Sequence, residues 1–331
     1  MKRRVARLIG PRKFEIVEEE ITKPKEDEVL IEVASCGICH SEMPQYQGYS
    51  TWVDRGREHV GITHDITYPL YLGHEPAGIV LEKGAAVKNL KVGDRVTGLA
   101  RYMFASHGVY GAQKLVTVPQ GVELKKSLGE PLMCCSNIVR AANPKLGDYV
   151  GVIGCGAMGL LVIAGLARSA CKELIAMDLL PSRLAVAREL GATRTLNPKE
   201  VNVEKEIEEI TGGQRLDIVV EISGKSAGLE LATRIIRERR GKILIPSYYG
   251  EPIHIDAGFH LMVRSPIIHS THPWYSVDYM DDLRKGVWAF IEGIFPMDRL
   301  ITHEFSLEDI HRGFEMAESG EDGYLKGIVV P

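Results

Sequence analysis

Cysteine, aromatic residues and unbalanced charge are all scarce in this chain. Six cysteines, at positions 36, 39, 134, 135, 155 and 171 of 331, are too few and too scattered to build a disulfide framework. Reduced thiols, at least one of them on a metal, fit better. No apolar run approaches the ~18 residues a membrane span requires. Met1-Lys-Arg-Arg4 is basic, but neither an apolar segment nor a small-residue cleavage site follows it. A cytoplasmic protein is expected, with no membrane partner. A net charge of −4 leaves no basic footprint for nucleic acid. Aromatic residues make up 7% of the chain, apolar residues 45% and charged residues 25%, a globular composition. At roughly 150 residues per domain, the length predicts about two domains.

The first part of the chain alternates polar and apolar residues in short runs: Val5–Ile9, Phe14–Val17 and Val29–Val33, broken by Gly10-Pro11 and Pro24. Similar runs return at Gly78–Leu81, Asp94–Thr97 and Lys114–Val118. They read as an antiparallel barrel or sandwich. Residues 49–71 stand out as a polar insertion, read as a long loop. From Asp148 the pattern changes. Tyr149–Ile153 is a continuous apolar run, as a strand buried on both faces requires. Further strands are expected at Glu173–Asp178, Asp217–Ile222, Lys242–Pro246 and Ser265–Ser270, with helices at Leu160–Ala170, Arg183–Leu190 and Leu229–Arg239. Strands alternating with helices indicate a doubly wound parallel sheet. The tail is read as a helix over Tyr279–Ile291, another after Ser306–Asp309, and a strand at Gly327–Val330.

Tyr149–Ile153 runs straight into Gly154-Cys-Gly156-Ala-Met-Gly159 and a small-residue helix. Gly154 permits the turn, Gly156 a close backbone approach to a pyrophosphate, and Gly159 close packing of helix on strand. Asp178 ends the next strand, 24 residues beyond Gly154. A carboxylate there binds the adenosine ribose hydroxyls and repels a 2′-phosphate, which selects NAD over NADP. Arg183 lies one turn further on, placed to stack beside the adenine edge.

Two segments offer metal ligands: Cys36-Gly-Ile-Cys39-His40-Ser41-Glu42 and Gly73-His74-Glu75. Zinc takes thiolate, imidazole and carboxylate, and a catalytic site keeps one position open. Cys39 and His74 are read as two ligands, with Glu75 and Glu130 competing for the third place. Cys36 is not read as a ligand. A structural Cys-x-x-Cys site needs two more close donors, and residues 41–133 contain no cysteine.

These motifs, with Leu72–Gly78, Val92-Gly-Asp-Arg-Val96, Glu130-Pro-Leu132 and Tyr324–Val329, occur in one order along nearly the whole chain. Taken together, the chain resembles the zinc-dependent medium-chain dehydrogenase/reductase family of alcohol, polyol and sugar dehydrogenases. The resemblance implies an α/β protein. A GroES-like, mainly β catalytic domain (1–132 and 274–331) would accompany an NAD-binding Rossmann domain (133–273). It implies catalytic zinc on Cys39, His74 and Glu130, with Glu75 behind the metal as an alternate ligand and Glu42 as an outer carboxylate. Ser41 matches the hydroxyl that takes the substrate proton. Met158 and Cys134 match residues that pack on the nicotinamide, and Lys326 a basic residue on the pyrophosphate. The implied reaction moves a hydride reversibly between NAD and a secondary alcohol, polyol or sugar-type substrate.

Two departures from the family pattern qualify this. The family's lobe of four cysteines is replaced by Arg101–Gly108, so one zinc per chain and no structural zinc are expected. A histidine that ends the proton relay in several alcohol dehydrogenases is Pro44 here, so the proton must leave through water or His40. Trp52, His59, Arg101, His107, His272 and Trp274 are candidates for the substrate pocket. Competing readings are a zinc-free enoyl or quinone reductase, disfavoured by Cys39, His74 and Asp178, and a non-catalytic NAD-binding protein, disfavoured by the intact ligand set. The family resemblance implies a homodimer or homotetramer, with Pro266-Ile-Ile268 extending a sheet across a two-fold axis.

Overall fold

The computed structural model describes residues 1–50, 66–249, 253–273 and 276–331. The chain divides into two compact units, Met1–Met133 with Leu283–Pro331, and Cys134–Asp282. The first unit opens with an antiparallel hairpin of β1 (Lys2–Gly10) and β2 (Lys13–Glu20). Next comes β3 (Glu28–Gly37), the longest strand of the unit, followed by a short helix, Met43–Gln47. The two-residue β4 (Leu70–Tyr71) adds to β1 and completes a three-stranded sheet. The strands β5 (Glu75–Lys83), β6 (Arg95–Gly98), β7 (His107–Gly111) and β8 (Leu115–Thr117) follow.

In the second unit β9 (Tyr149–Ile153), β10 (Glu173–Met177), β11 (Arg194–Leu196), β12 (Ile218–Glu221), β13 (Lys242–Ile245) and β14 (Ile267–Ser270) are all parallel. Their order is β11-β10-β9-β12-β13-β14, so the direction of winding reverses between β9 and β12. That reversal opens a crevice at the carboxyl ends of the strands, where ligands of doubly wound sheets bind. All five residues of β9 are buried, which explains its unbroken apolar run. The chain then returns to the first unit with β15 (Ile301–Ser306) and β16 (Lys326–Val330). The larger sheet there runs β15-β16-β3-β5-β6-β8, with β7 also on β3. Thus β3 is the spine: β5 pairs along its length, β7 along its first half and β16 at its last two residues.

The second crossing between units falls at Asp282/Leu283, inside the helix Tyr279–Ile291, and not at 273/274. Asp282 is fully buried and accepts hydrogen bonds from Arg140 (2.7 Å) and the Ser276 hydroxyl, which fastens the first helical turn to the second unit. The first crossing falls at Met133/Cys134, inside the helix Gly129–Ala142. That helix, the helix Val203–Thr211 and strands β4, β7 and β11 are additions to the elements read from sequence. No helix among the described residues is long and apolar enough to cross a membrane.

The core of the first unit contains a ring cluster. Phe314, without solvent exposure, lies 5.1 Å from Phe14, 5.0 Å from Tyr46 and 5.7 Å from Phe104, centroid to centroid. It joins the helix Ile310–Ser319 to β2, to the helix Met43–Gln47 and to the segment before β7. Phe314→Ala removes the shared ring and leaves a cavity, and should cost roughly 3–5 kcal/mol. Urea unfolding monitored by circular dichroism measures this as a lowered midpoint at unchanged slope.

Candidate metal centre and dinucleotide turn

β3 ends at Gly37, and the next residue, Ile38, donates to Gly327 O (2.9 Å). The chain then folds into a single 3₁₀ turn, His40–Glu42, with Cys39 at its N-cap. The turn throws Cys39 Sγ to one side and buries Glu42. The Ser41 hydroxyl donates to Cys39 Sγ (3.2 Å). On the adjacent strand, His74 and Glu75 stand at the start of β5. Glu42 ties the two segments: its Oε1 accepts from Gly73 N (2.7 Å) and lies 2.9 Å from His74 Nδ1. With Nδ1 engaged, Nε2 is the ring nitrogen left to act as a ligand. Cys39, His74 and Glu75 each place one donor atom within 4.8 Å of the others, a set of thiolate, imidazole and carboxylate that suits zinc. Glu42 Oε2 is buried without a hydrogen-bond partner.

Burial acts against a charged His74, but the Glu42 carboxylate and then Cys39 outweigh it and raise its pKa well above the ordinary value. Cys36 differs. It is fully buried on β3, and burial followed by the Glu42 charge pushes its thiol well above the usual range. It stays a neutral core thiol, in keeping with its exclusion as a ligand.

Glu75 is held from behind. Lys326 Nζ lies 2.8 Å from Oε1 and 2.6 Å from Oε2, and also donates to Ile38 O (2.9 Å). Burial works to discharge this ammonium, but the Glu75 carboxylate and Cys39 hold its pKa above the ordinary lysine value. Lys326 is thus a buried partner of Glu75, and its ammonium is not presented at the surface as a pyrophosphate contact would require. Glu75 faces Gly37 across the β3–β5 ladder, and a Cβ on Gly37 would lie 2.0 Å from Glu75 Oε2. Glu130 is buried in the first turn of the helix Gly129–Ala142. Among the described residues no metal-type group includes it. The donors that converge are therefore Cys39, His74 and Glu75.

In the second unit the glycine turn joins β9 to the helix Ala157–Leu166. Gly154 has φ +98°, and a Cβ there would sit 2.8 Å from Ser223 N and Cα. A Cβ on Gly159 would lie 1.9 Å from Gly154 O, so helix and turn touch. Gly156 is the helix N-cap, no side chain caps the helix, and the space around its missing Cβ is open to 4 Å. Free N–H groups with room in front of them fit a pyrophosphate. Asp178 follows β10. Its Oδ2 accepts from Cys155 N (2.7 Å) and its Oδ1 from Leu180 N (2.9 Å), so it braces the turn while keeping lone pairs for further donors. Arg183 is close enough for its charge to act on Cys155 beside Asp178.

Met158 is half-buried on that helix, and its partner in the structure is Cys135, whose Sγ lies 3.6 Å from Met158 O. Cys134 is buried. His40 is exposed and Pro44 buried. Arg101 is exposed, the His107 ring contacts Ser106 Oγ (3.0 Å), and His272 packs 4.9 Å from the Tyr248 ring. Trp52, His59 and Trp274, with most of the 49–71 insertion, lie outside the described residues.

Residues 25–126 match the family model of the alcohol dehydrogenase GroES-like domain, and residues 157–278 that of the zinc-binding dehydrogenase. The chain is 31% identical to a (R,R)-butanediol dehydrogenase of Bacillus subtilis, over 91% of this chain and 92% of that protein. It is 27% identical to an erythritol/L-threitol dehydrogenase of Mycolicibacterium smegmatis, over 97% and 95% of the two chains. A crystal structure of 2R,3R-butanediol dehydrogenase from Bacillus subtilis superposes with a TM-score of 0.82 at 26% identity, covering 99% of each chain.

Gly159→Ala forces the helix Ala157–Leu166 off the glycine turn. It should lower the melting temperature by several degrees, as overpacking by a methyl group costs about 1–3 kcal/mol. A nicotinamide dinucleotide should raise the melting temperature of the wild-type protein, and that shift should be absent from the variant in the same thermal scan.

Proposed function

Since the chain belongs to the zinc-dependent alcohol dehydrogenase family, we propose that it oxidises a secondary alcohol or polyol reversibly with NAD and one zinc per chain. The observation that carries this reading is the convergence of Cys39, His74 and Glu75 within 4.8 Å, with Glu42 on the far nitrogen of His74. These three residues would hold the zinc, with Glu75 in the place the family resemblance gives to Glu130. Bound zinc supplies a Lewis acid that acidifies an alcohol, and the nicotinamide supplies the hydride acceptor.

The chain's own residues do the rest. Glu42 fixes the His74 tautomer and the direction of its ring. Lys326 balances the Glu75 charge and limits its reach. Ser41, in contact with Cys39 Sγ, takes the substrate proton, and the exposed His40 beside it passes the proton to solvent. Pro44 has no group that titrates, so the relay ends before it. Gly154, Gly156 and Gly159 seat the pyrophosphate. Asp178, braced at the end of β10, accepts from the adenosine ribose and repels a 2′-phosphate, with Arg183 alongside. Met158 and Cys134 line the nicotinamide side.

The substrate class follows from the relatives. The names of the butanediol and the erythritol/threitol enzymes share vicinal secondary hydroxyls, which makes vicinal diols the first compounds to assay. None of the six cysteines is in a disulfide, which fits a reducing compartment such as the cytoplasm. A second copy would add to the open edge of β14, where Ile267 and Ile268 are 56% and 47% exposed, and form a homodimer or, by further pairing, a homotetramer.

Metal analysis should find about one zinc per chain, and NAD should be reduced on a vicinal diol far faster than NADP is. Cys39→Ala should lose both zinc and turnover; a zinc-loaded, active variant would sink the assignment. Glu75→Gln and Glu130→Gln separate the two carboxylates. Zinc affinity should fall about 10–100-fold in Glu75→Gln and stay near wild type in Glu130→Gln, as read by competition with a chelating dye. The reverse pattern would return the third ligand to Glu130.

A further inference from the structure

The carboxyl ends of β9, β12, β13 and β14 are joined through one buried acid that plays no part in the scheme above. Glu221 is the last residue of β12 and has no solvent exposure. Its Oε1 accepts from Ser223 N (3.0 Å) and from the Ser223 hydroxyl, and its Oε2 accepts from the Tyr249 hydroxyl. The structure makes room for this arrangement. A Cβ on Gly228, in the helix Ser226–Ile235, would lie 2.4 Å from Glu221 Oε1 and 2.5 Å from Ser223 Oγ. Burial pushes the Glu221 acid up, against the pull of the Ser223 and Tyr249 bonds. Burial and the Glu221 charge push the Tyr249 phenol far above its usual range, so it remains a donor. A carboxyl buried this deeply is costly unless its oxygens are hydrogen-bonded, and these are.

Each bond leads to the rim of the crevice. Ser223 is the residue against which Gly154 of the glycine turn packs. Tyr249 follows β13, and its neighbour Tyr248 puts its ring 4.9 Å from His272, just past β14. One carboxyl therefore sets the glycine turn, the loop after β13 and an aromatic pair at the end of β14. The switch point lies between β9 and β12. Asp178, just past β10, marks the adenosine half of a dinucleotide, so β12–β14 face its other half, the nicotinamide mononucleotide.

We propose that Glu221 and Tyr249 are positioning residues for the nicotinamide half of the cofactor, acting through Ser223 and the Tyr248–His272 pair. This rests on the dinucleotide reading of the Gly154 turn. The hydroxyl–carboxyl bond holds Tyr249 in place before cofactor arrives, so its ordering cost is met in the free protein.

The test compares equilibrium binding of NAD and of AMP, which carries the adenosine half alone, to the wild-type protein, Tyr249→Phe and Glu221→Gln. Tyr249→Phe keeps the ring and removes one oxygen, so it folds even where Glu221→Gln does not. Its NAD affinity should fall about five- to tenfold, while AMP affinity stays within about twofold of wild type. NAD binding within about twofold of wild type, or an equal loss for NAD and AMP, overturns the positioning role. A wild-type protein that binds neither would instead remove the dinucleotide reading, and this inference with it.

Discussion

Charge balance at one buried point governs the first unit. The half-buried thiol of Cys39 lies beside the buried carboxylate of Glu75, and the buried carboxylate of Glu42 joins them through His74. The fixed cation that meets them is Lys326, carried in on β16 from the far end of the chain. With Cys39 as thiolate, three negative charges face one positive charge, and the remaining two match a divalent ion. Uncompensated buried charge costs several kcal/mol, so the site either protonates or takes a metal. The raised His74 pKa is one form of that compensation, and a zinc ion, as proposed above, would be the other. The rest of the unit follows from this need. β3 and β5 must pair in the register that sets Gly37 opposite Glu75, and β16 must join β3 beside them.

The second unit meets a different constraint, the close approach of backbone to backbone. Gly154 and Gly159 touch, Ser223 packs on the turn, and Asp178 caps it through Cys155 N. No side chain caps the helix that follows, and the space around Gly156 is open. The Glu221 hydrogen bonds to Ser223 and Tyr249 add a second set of contacts at the carboxyl edge of the sheet. Preorganisation of this kind spares the cofactor the entropy of ordering loops.

Elements with a strong local period were legible in the sequence. The β9 run, the strands β10, β12 and β13, and the helix Tyr279–Ile291 all carried patterns longer than the noise of a few residues. β11, three residues long, and β4, two residues long, are shorter than any periodicity can resolve. The helix Val203–Thr211 buries residues 203, 207 and 211, a stripe of one residue per turn, and Asn202 caps it. That signal was present, but charged residues surrounding it hid the stripe. The boundary at Asp282 depended on Arg140, far away in sequence, and no local pattern records such a bond.

At the sites the division is similar. Cys39 with His74, and Gly154–Gly159 with Asp178, stand in short motifs, so they were legible as candidates in the sequence, which by itself determined the family and the two-part architecture. The choice of Glu75 over Glu130 as the converging carboxylate, and the burial of Lys326 against it, were decided only by tertiary structure. Strand register brings together residues separated by 251 positions, and burial turns a surface lysine into a counter-ion. Glu221 and Tyr249 belong to the same class. Each is unremarked in sequence, and their roles arise because parallel strands end at one edge, where a single carboxyl can reach the loops of its neighbours.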